Sequence, residues 1–241
     1  MTGLFITGTD TGTGKTVVSA AILSILRACG VDAVPMKPSQ SGCISRKGAL
    51  VATDLEFCLR AAGLDPVEDE KRAMCPYRFK PACSPHLAAE LAGRRISIET
   101  IDRKYRKLAR VHDFVVVEGA GGVLVPISQD RTMLDVMKAL AIPIVLVARP
   151  GLGTINHTLL SLGELKRAGL NVLGIVFNQT YPGRPGYIEK SNAETIMKLG
   201  GVPVIGHIPY VPDLARLHRS PPVFARWAAT HLKLANVLSD I

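Results

Sequence analysis

The sequence predicts an α/β fold in which one mostly parallel sheet carries helices on both faces, within a single domain. Three observations predict it. Short runs of continuous apolar residues alternate with amphipathic segments along the 241-residue chain. The runs lack the apolar–polar alternation of a half-exposed sheet, which suits strands buried on both faces. Gly and Pro punctuate the joints, and no repeat or low-complexity stretch interrupts the pattern.

In chain order, strands are expected at Leu4–Thr7, Ala33–Lys37, Phe114–Glu118, Ile144–Ala148, Val172–Asn178 and Val204–His207. Between them the spacing predicts helices at Lys15–Cys29, Val51–Ala62, Pro85–Leu91, Ser97–Val111, Met133–Leu140, Ile155–Ala168 and Ile188–Leu199, with a last one near Pro222–Val237. Gly30 closes the first helix, and Ser84 with Pro85 supplies a cap and first residue for the third. Gly93 ends that helix, and Pro143 and Gly169 bound the next strands. The stretch Pro182-Gly-Arg-Pro185 separates the fifth strand from its helix, and Pro209 and Pro212 close the sixth strand.

With 47% hydrophobic and 20% charged residues, the chain can bury a sizeable core without staples. No run of eighteen apolar residues exists, so no membrane span is expected. Gly3–Gly8 is short, lacks a basic lead and does not read as a signal peptide. The five cysteines, Cys29, Cys43, Cys58, Cys75 and Cys83, form no CxxC pair, so free thiols in a reducing cytoplasm are expected rather than zinc or disulfides. The net charge of +9 raises the question of nucleic acid. Its densest stretch, 102–110, is spaced like the solvated face of a helix, so no nucleic-acid partner is expected; small anionic ligands suit the charge as well.

Ligands of open parallel sheets sit at the carboxyl ends of the strands. The polar residues there are Thr9–Thr16, Lys37–Ser41, Glu118–Gly122, Arg149–Asn156, Asn178 with Gln179, and Pro209–Asp213. The first group carries the sharpest signal. Gly8-Thr-Asp-Thr-Gly-Thr-Gly-Lys-Thr16 leaves a strand and opens a helix, the setting of a phosphate-binding P-loop. Its glycines let backbone N–H groups turn toward phosphate oxygens at the positive end of the helix dipole. Lys15 brings a point charge for the β- and γ-phosphates, and Thr16 a hydroxyl for Mg²⁺. These features predict a P-loop NTPase type of fold that binds ATP with Mg²⁺. The loop is one residue longer than the usual GxxxxGKT. Partition and division-site ATPases carry a second lysine five residues before the P-loop lysine; here that position is Asp10.

Other rim residues are ambiguous alone. Lys37 is placed to neutralise charge developing in phosphoryl transfer, and reads equally well as a solvated loop lysine. Glu118 ends a buried strand, where a carboxylate reaches a metal or caps a helix. Asp54 lies near a helix start, where an acid is favoured anyway. Gly153–Asn156 is either an ordinary helix start or a set of free N–H groups for an anion. No Ser/His/Asp or Cys/His set can be assembled.

Taken together, Gly8-Thr-Asp-Thr-x-x-Gly-Lys-Thr16, Lys37-Pro with Ser41-Gly42, Ser84-Pro-His86, Val117-Glu-Gly-Ala-Gly-Gly122, Gly153-x-Ile-Asn-His157, Asn178 and Gly206-x-Ile-Pro209 resemble the dethiobiotin synthetase family, in its order and over roughly Gly3 to Pro209. The resemblance implies an ATP- and Mg²⁺-dependent cyclo-ligase. It would close diaminopelargonate (7,8-diaminononanoate) plus CO₂ or bicarbonate to the cyclic urea dethiobiotin through a phosphorylated carbamate. Lys15 and Lys37 would then bind the transferring phosphoryl group and the carbamate, and Thr11 and Ser41 would hydrogen-bond substrate or phosphate. Gly12, Thr13, Gly14, Lys15, Thr16 and Val17, with Glu118, Gly119, Ala120 and Gly121, would line the nucleotide phosphates. Asn178, Gln179, Ile208, Pro209 and Tyr210 would surround the adenine. Thr16, Asp54 and Glu118 would hold Mg²⁺. The family works as a homodimer, so Gly153, Thr154, Ile155, Asn156 and Tyr187 are assigned to the substrate's carboxylate tail at the subunit interface. Two alternatives stand beside this reading: a regulatory P-loop ATPase of the partition or carrier type, and another ATP-dependent amidoligase of the same fold.

Overall fold

The computed structural model describes residues 2–183 and 186–234. The strand β1 (Gly3–Gly8) runs into helix α1 (Lys15–Ala28), and β2 (Ala33–Met36) follows. A region of short elements comes next: β3 (Ser39–Gln40), β4 (Ile44–Arg46), β5 (Ala49–Val51), α2 (Thr53–Ala61), α3 (Glu68–Met74), β6 (Tyr77–Arg78), α4 (Pro85–Leu91) and α5 (Ile98–Ala109). Regular alternation then resumes with β7 (Phe114–Glu118), α6 (Met133–Leu140), β8 (Ile144–Ala148), α7 (Thr154–Arg167), β9 (Val172–Asn178), α8 (Tyr187–Gly200) and β10 (Val204–Ile208). The helices α9 (Leu214–Leu217) and α10 (Pro221–His231) complete the described chain.

Six strands form one sheet in the order β10-β9-β8-β1-β7-β2, and every pairing is parallel. Successive side chains point to opposite faces, and both faces are covered. Leu4, Ile6 and Val116 pack with Ile22 of α1 and Phe224 of α10. Phe5, Val115 and Val117 pack on the other side with Tyr105 of α5 and Met137 of α6. Leu4, Phe5 and Ile6 are wholly buried, and each such side chain contributes about 2 kcal/mol relative to exposure. Beyond β8, Leu146, Ile175 and Phe177 pack with Leu162 of α7 and Ile196 of α8.

The register positions the functional end of the sheet. Ile6 lies opposite Glu118, and Met36 opposite Val117. The loop after β1, the last residue of β7 and the residue after β2 therefore emerge side by side. The chain visits β7 and then β8 on opposite flanks of β1, so a crevice opens at the carboxyl end of β1.

The six expected strands and seven of the expected helices fall within a residue or two of these elements. The short region between β2 and β7 holds what the periodicity does not reveal: the parallel β3–β6 pair, the exposed hairpin of β4 and β5, and α3. The hairpin turns on Lys47 and Gly48, both with positive φ (51° and 80°), as a two-residue hairpin loop requires. The last helix ends at His231, short of the expected Val237, because the chain leaves α10 to join the sheet edge. Lys233 N donates to Ile205 O at 2.7 Å, and Leu232 bridges Gly206, which covers the outer edge of β10. Residues 235–237 of that expected helix, and residues 184 and 185 of the Pro182–Pro185 loop, lie outside the described residues.

Candidate active site

The phosphate loop is shaped by a small set of contacts. Gly14 has φ +90°, and a Cβ there would lie 2.0 Å from Asn178 Nδ2. Glycine is thus required twice, by backbone conformation and by close approach. Asn178, at the end of β9, donates from that Nδ2 to Thr13 O at 3.0 Å and fastens the loop to the neighbouring strand. Thr13 Oγ1 donates to Asp10 O at 3.3 Å, and Lys15 Nζ donates to the same carbonyl at 2.9 Å. The Asp10 carboxylate accepts from Thr11 N at 2.6 Å and faces Arg149 at 3.5 Å. Asp10 therefore helps shape its own loop.

Beside the loop lies a buried ionic cluster. Lys37 Nζ donates to Glu118 Oε1 at 2.6 Å and to Gly119 O at 3.2 Å, and pairs with Asp54 Oδ2 at 2.9 Å. Thr16 Oγ1 donates to the same Glu118 oxygen at 2.8 Å. Burial alone would lower the Lys37 pKa, but Glu118 and then Asp54 outweigh it and hold the ammonium well above the usual lysine range. Lys15 goes the other way: burial, and then the charge of Lys37, draw it down to about 8. Gln40 sets Asp54 in place, since its Oε1 accepts from Asp54 N at 3.2 Å while its Nε2 donates to Thr53 Oγ1 at 2.8 Å. Lys37 is thus a buried, fully bonded cation and no solvated loop lysine.

A cavity of about 700 Å³ opens over this cluster. It is lined by Thr11, Gly12, Gly14, Lys15, Thr16, Lys37, Ser41, Asp54, Glu118, Ala120 and Gly121 among the residues singled out in the sequence. Val17 faces the core behind the loop, and Gly119 is buried beneath it. Gln179 N donates to Ile208 O at 2.9 Å, which joins the ends of β9 and β10, with half-buried Pro209 and Tyr210 next along the chain. The cavity also takes in Ser39 and Gln40 of the Lys37–Ser41 rim and Ser84 and Pro85 of the Ser84-Pro-His86 motif, to which the sequence gives no role in the site, and Cys83 and Val125, which it does not single out for the site. Ser84 stands at the expected N-cap position with Pro85 opening the helix, but its side chain makes no capping hydrogen bond; Ser84 and Pro85 line the cavity wall instead.

The tail-binding candidates lie elsewhere on the molecule. Thr154 is turned inward and bonds Thr158 Oγ1 at 3.2 Å. Gly153, Ile155 and Asn156 line a shallow apolar groove on α7 with Leu159 and Leu160, and Tyr187 is 84% exposed at the start of α8. None of the five lines the cavity of its own chain. A larger cleft of about 890 Å³, walled by α4, α5 and the 127–131 loop, shares no lining residue with the phosphate loop.

Comparison with known proteins places this geometry. A family model described as an AAA domain matches residues 2–218. The ATP-dependent dethiobiotin synthetase of Anaeromyxobacter sp. (strain K) is 45% identical over 221 residues, which cover 91% of this chain and 95% of that protein. The chain belongs to the dethiobiotin synthetase family. The family's member from Halalkalibacterium halodurans is 41% identical, covering 87% of this chain and 85% of its own. Among solved structures, the MinC:MinD cell division protein complex of Aquifex aeolicus has a chain that matches with a TM-score of 0.58 at 14% identity, over 95% of both chains. That likeness concerns the fold alone, and it is the P-loop architecture the sequence predicts. Against it, the dethiobiotin synthetase relatives share both the length and close to half of the residues, so the regulatory ATPase alternative is not favoured.

Proposed function

We propose that the chain is an ATP-dependent ligase that closes 7,8-diaminopelargonate and CO₂ into the cyclic urea dethiobiotin. The observation that carries this reading is the convergence of phosphate loop, Lys37 and Glu118 on one cavity, in a chain 45% identical to a dethiobiotin synthetase. One substrate amine takes up CO₂ as a carbamate and loses a proton. A carbamate oxygen attacks the γ-phosphorus of ATP, and ADP departs. The second amine attacks the carbonyl of the mixed anhydride, and phosphate leaves as the ring closes.

Every group in that sequence is anionic or becomes so, and the site supplies cations and donors rather than a nucleophile. Lys15 and the loop N–H groups hold the β- and γ-phosphates. Lys37 meets the carbamate and the transferring phosphoryl group. Thr11 and Ser41 orient the substrate by hydrogen bonds. Asn178, Gln179 and the segment Ile208–Tyr210 flank the adenine. The oxygens of Thr16, Asp54 and Glu118 are hard donors in the number a Mg²⁺ ion takes from protein when phosphates and water complete its shell. The fit is supported by the ammonium of Lys37, a cation that already stands between the two carboxylates. Held by these residues, Mg²⁺ would supply neutralisation of the negative charge that builds up in phosphoryl transfer.

The exposed apolar residues Leu152 and Leu160, with Tyr187, support a homodimer in which this face carries the substrate's carboxylate tail to the partner's cavity. The five unpaired cysteines suit the cytoplasm, and among the described residues no helix is long and apolar enough to cross a membrane. The basic stretch at 102–110 lies mostly on α5, where Arg106 pairs with Asp102 at 2.7 Å, and we read it as a solvated face and not a nucleic-acid surface.

The test is direct. Purified protein is incubated with diaminopelargonate, bicarbonate, Mg²⁺ and ATP, and dethiobiotin is sought by mass with ADP and phosphate in equal amounts. Nucleotide binding without that product would reject the reading. Hydrolysis stimulated by DNA or lipid and indifferent to the diamine would favour a regulatory ATPase.

A further inference from the structure

The three protons of the Lys37 ammonium are all engaged, one each with Glu118 Oε1, Asp54 Oδ2 and Gly119 O. In this state Lys37 has no donor left for a phosphoryl or carbamate oxygen. Glu118 Oε1 is also crowded, since it accepts from both Lys37 Nζ and Thr16 Oγ1. A divalent cation that took Glu118 Oε1 and Asp54 Oδ2 would have to displace the ammonium from both. It would also stand beside a buried ammonium, a like-charge contact in a poorly screened place.

We infer that Lys37 is the resident counter-ion of the metal site, and that its ammonium and a divalent cation exclude each other from the Glu118–Asp54 pair. Without nucleotide the lysine holds the pair, and a metal ion gains nothing that repays displacing it. With ATP bound, the γ-phosphate offers the ammonium a new anionic partner and offers the metal further oxygen ligands. Lys37 then leaves the carboxylates for the transferring group at the moment the metal takes them. Metal and nucleotide therefore bind with positive coupling, and the lysine reaches its working position only in the loaded enzyme. The inference rests on the assignment of Mg²⁺ to Thr16, Asp54 and Glu118 made above.

The test uses the full chain, MgCl₂ and no nucleotide, with binding followed by titration calorimetry and stability by thermal unfolding at fixed ionic strength. Lys37→Met is expected to melt lower than the unsubstituted protein in EDTA. Mg²⁺ is expected to restore that melting temperature, with an affinity at least about tenfold above that of the unsubstituted protein, a coupling of ordinary allosteric size. Lys37→Met combined with Glu118→Gln is expected to lose the response. Equal Mg²⁺ affinity with and without Lys37, or a Lys37→Met protein that stays unfolded or unstabilised in Mg²⁺, overturns the exchange. Glu118→Gln alone, titrated with Mg²⁺ and a non-hydrolysable ATP analogue, separates the two ideas. If it leaves Mg²⁺-dependent nucleotide binding unchanged, the metal assignment itself is wrong. If it weakens that binding while Lys37→Met shows no gain in metal affinity, only the exchange is wrong.

Discussion

Lys37 shows how a single residue changes meaning between sequence and structure. From the sequence it is a cation at a strand end, and its removal is expected to slow turnover by roughly tenfold or more while leaving the fold intact, as loss of charge stabilisation alone would. The structure alters the second part. Lys37 neutralises Glu118 inside the protein, with both side chains at 7% exposure or less, and breaking such a pair leaves a buried charge at a cost of about 3 kcal/mol. Lys37→Ala should therefore lose turnover and also unfold earlier in urea; turnover within twofold of the parent would remove Lys37 from the proposed mechanism. Gly14→Ala should be worse for binding than for folding. Its Cβ would displace Asn178, which holds the loop, so nucleotide affinity measured by calorimetry should fall by about tenfold or more, a loss of about 1.4 kcal/mol. The cysteines give a third check. Burial raises the Cys58 thiol well above its ordinary range and pushes Cys75 up to about 12. Alkylation near pH 8 should label exposed Cys29 first, then Cys83, and spare Cys58 and Cys75. ATP with substrate should protect Cys83, which lines the cavity.

Among the elements, the strands were the most legible. Their apolar runs are continuous because both faces are covered, and only a buried parallel sheet of this kind tolerates them. Short elements were not legible, because β3, β6 and α3 are too brief for a period to show and are held by tertiary contacts. Helix α5 shows a local signal and its structural outcome agreeing: Ser97 accepts from Thr100 N at 3.0 Å as its cap. Ser97→Ala should cost about 1 kcal/mol in urea unfolding, or about 2–4 °C in melting temperature for a chain of this size, and leave nucleotide binding unchanged. Gln40 is the opposite case. The sequence places it on the polar Lys37–Ser41 rim without a role, yet its amide fixes both Thr53 and Asp54 at the start of α2.

At the scale of the whole molecule, the sheet order brings β2, β7 and β1 together, so residues 37, 118 and 15 share one cavity. The groove on α7 shares no lining residue with that cavity, and α7 presents Leu160 at 64% exposure. If this face joins two copies, Leu160→Arg should shift sedimentation toward the monomer and raise the KM for the diamine, while ATP affinity holds. A mutant that remains dimeric with unchanged KM would move the interface elsewhere.

The sequence by itself determined the fold class, the phosphate loop and the family, because these rest on local patterns: apolar runs, glycines beside a strand end, and motifs in a fixed order. Tertiary structure alone decided that Lys37 is locked between Glu118 and Asp54, that Cys83 and Val125 complete the cavity wall, and that Asn178 fastens the loop. Those facts depend on strand register and on which chain ends meet across the sheet. Residues 37 and 118 are 81 positions apart, and no periodicity spans that distance.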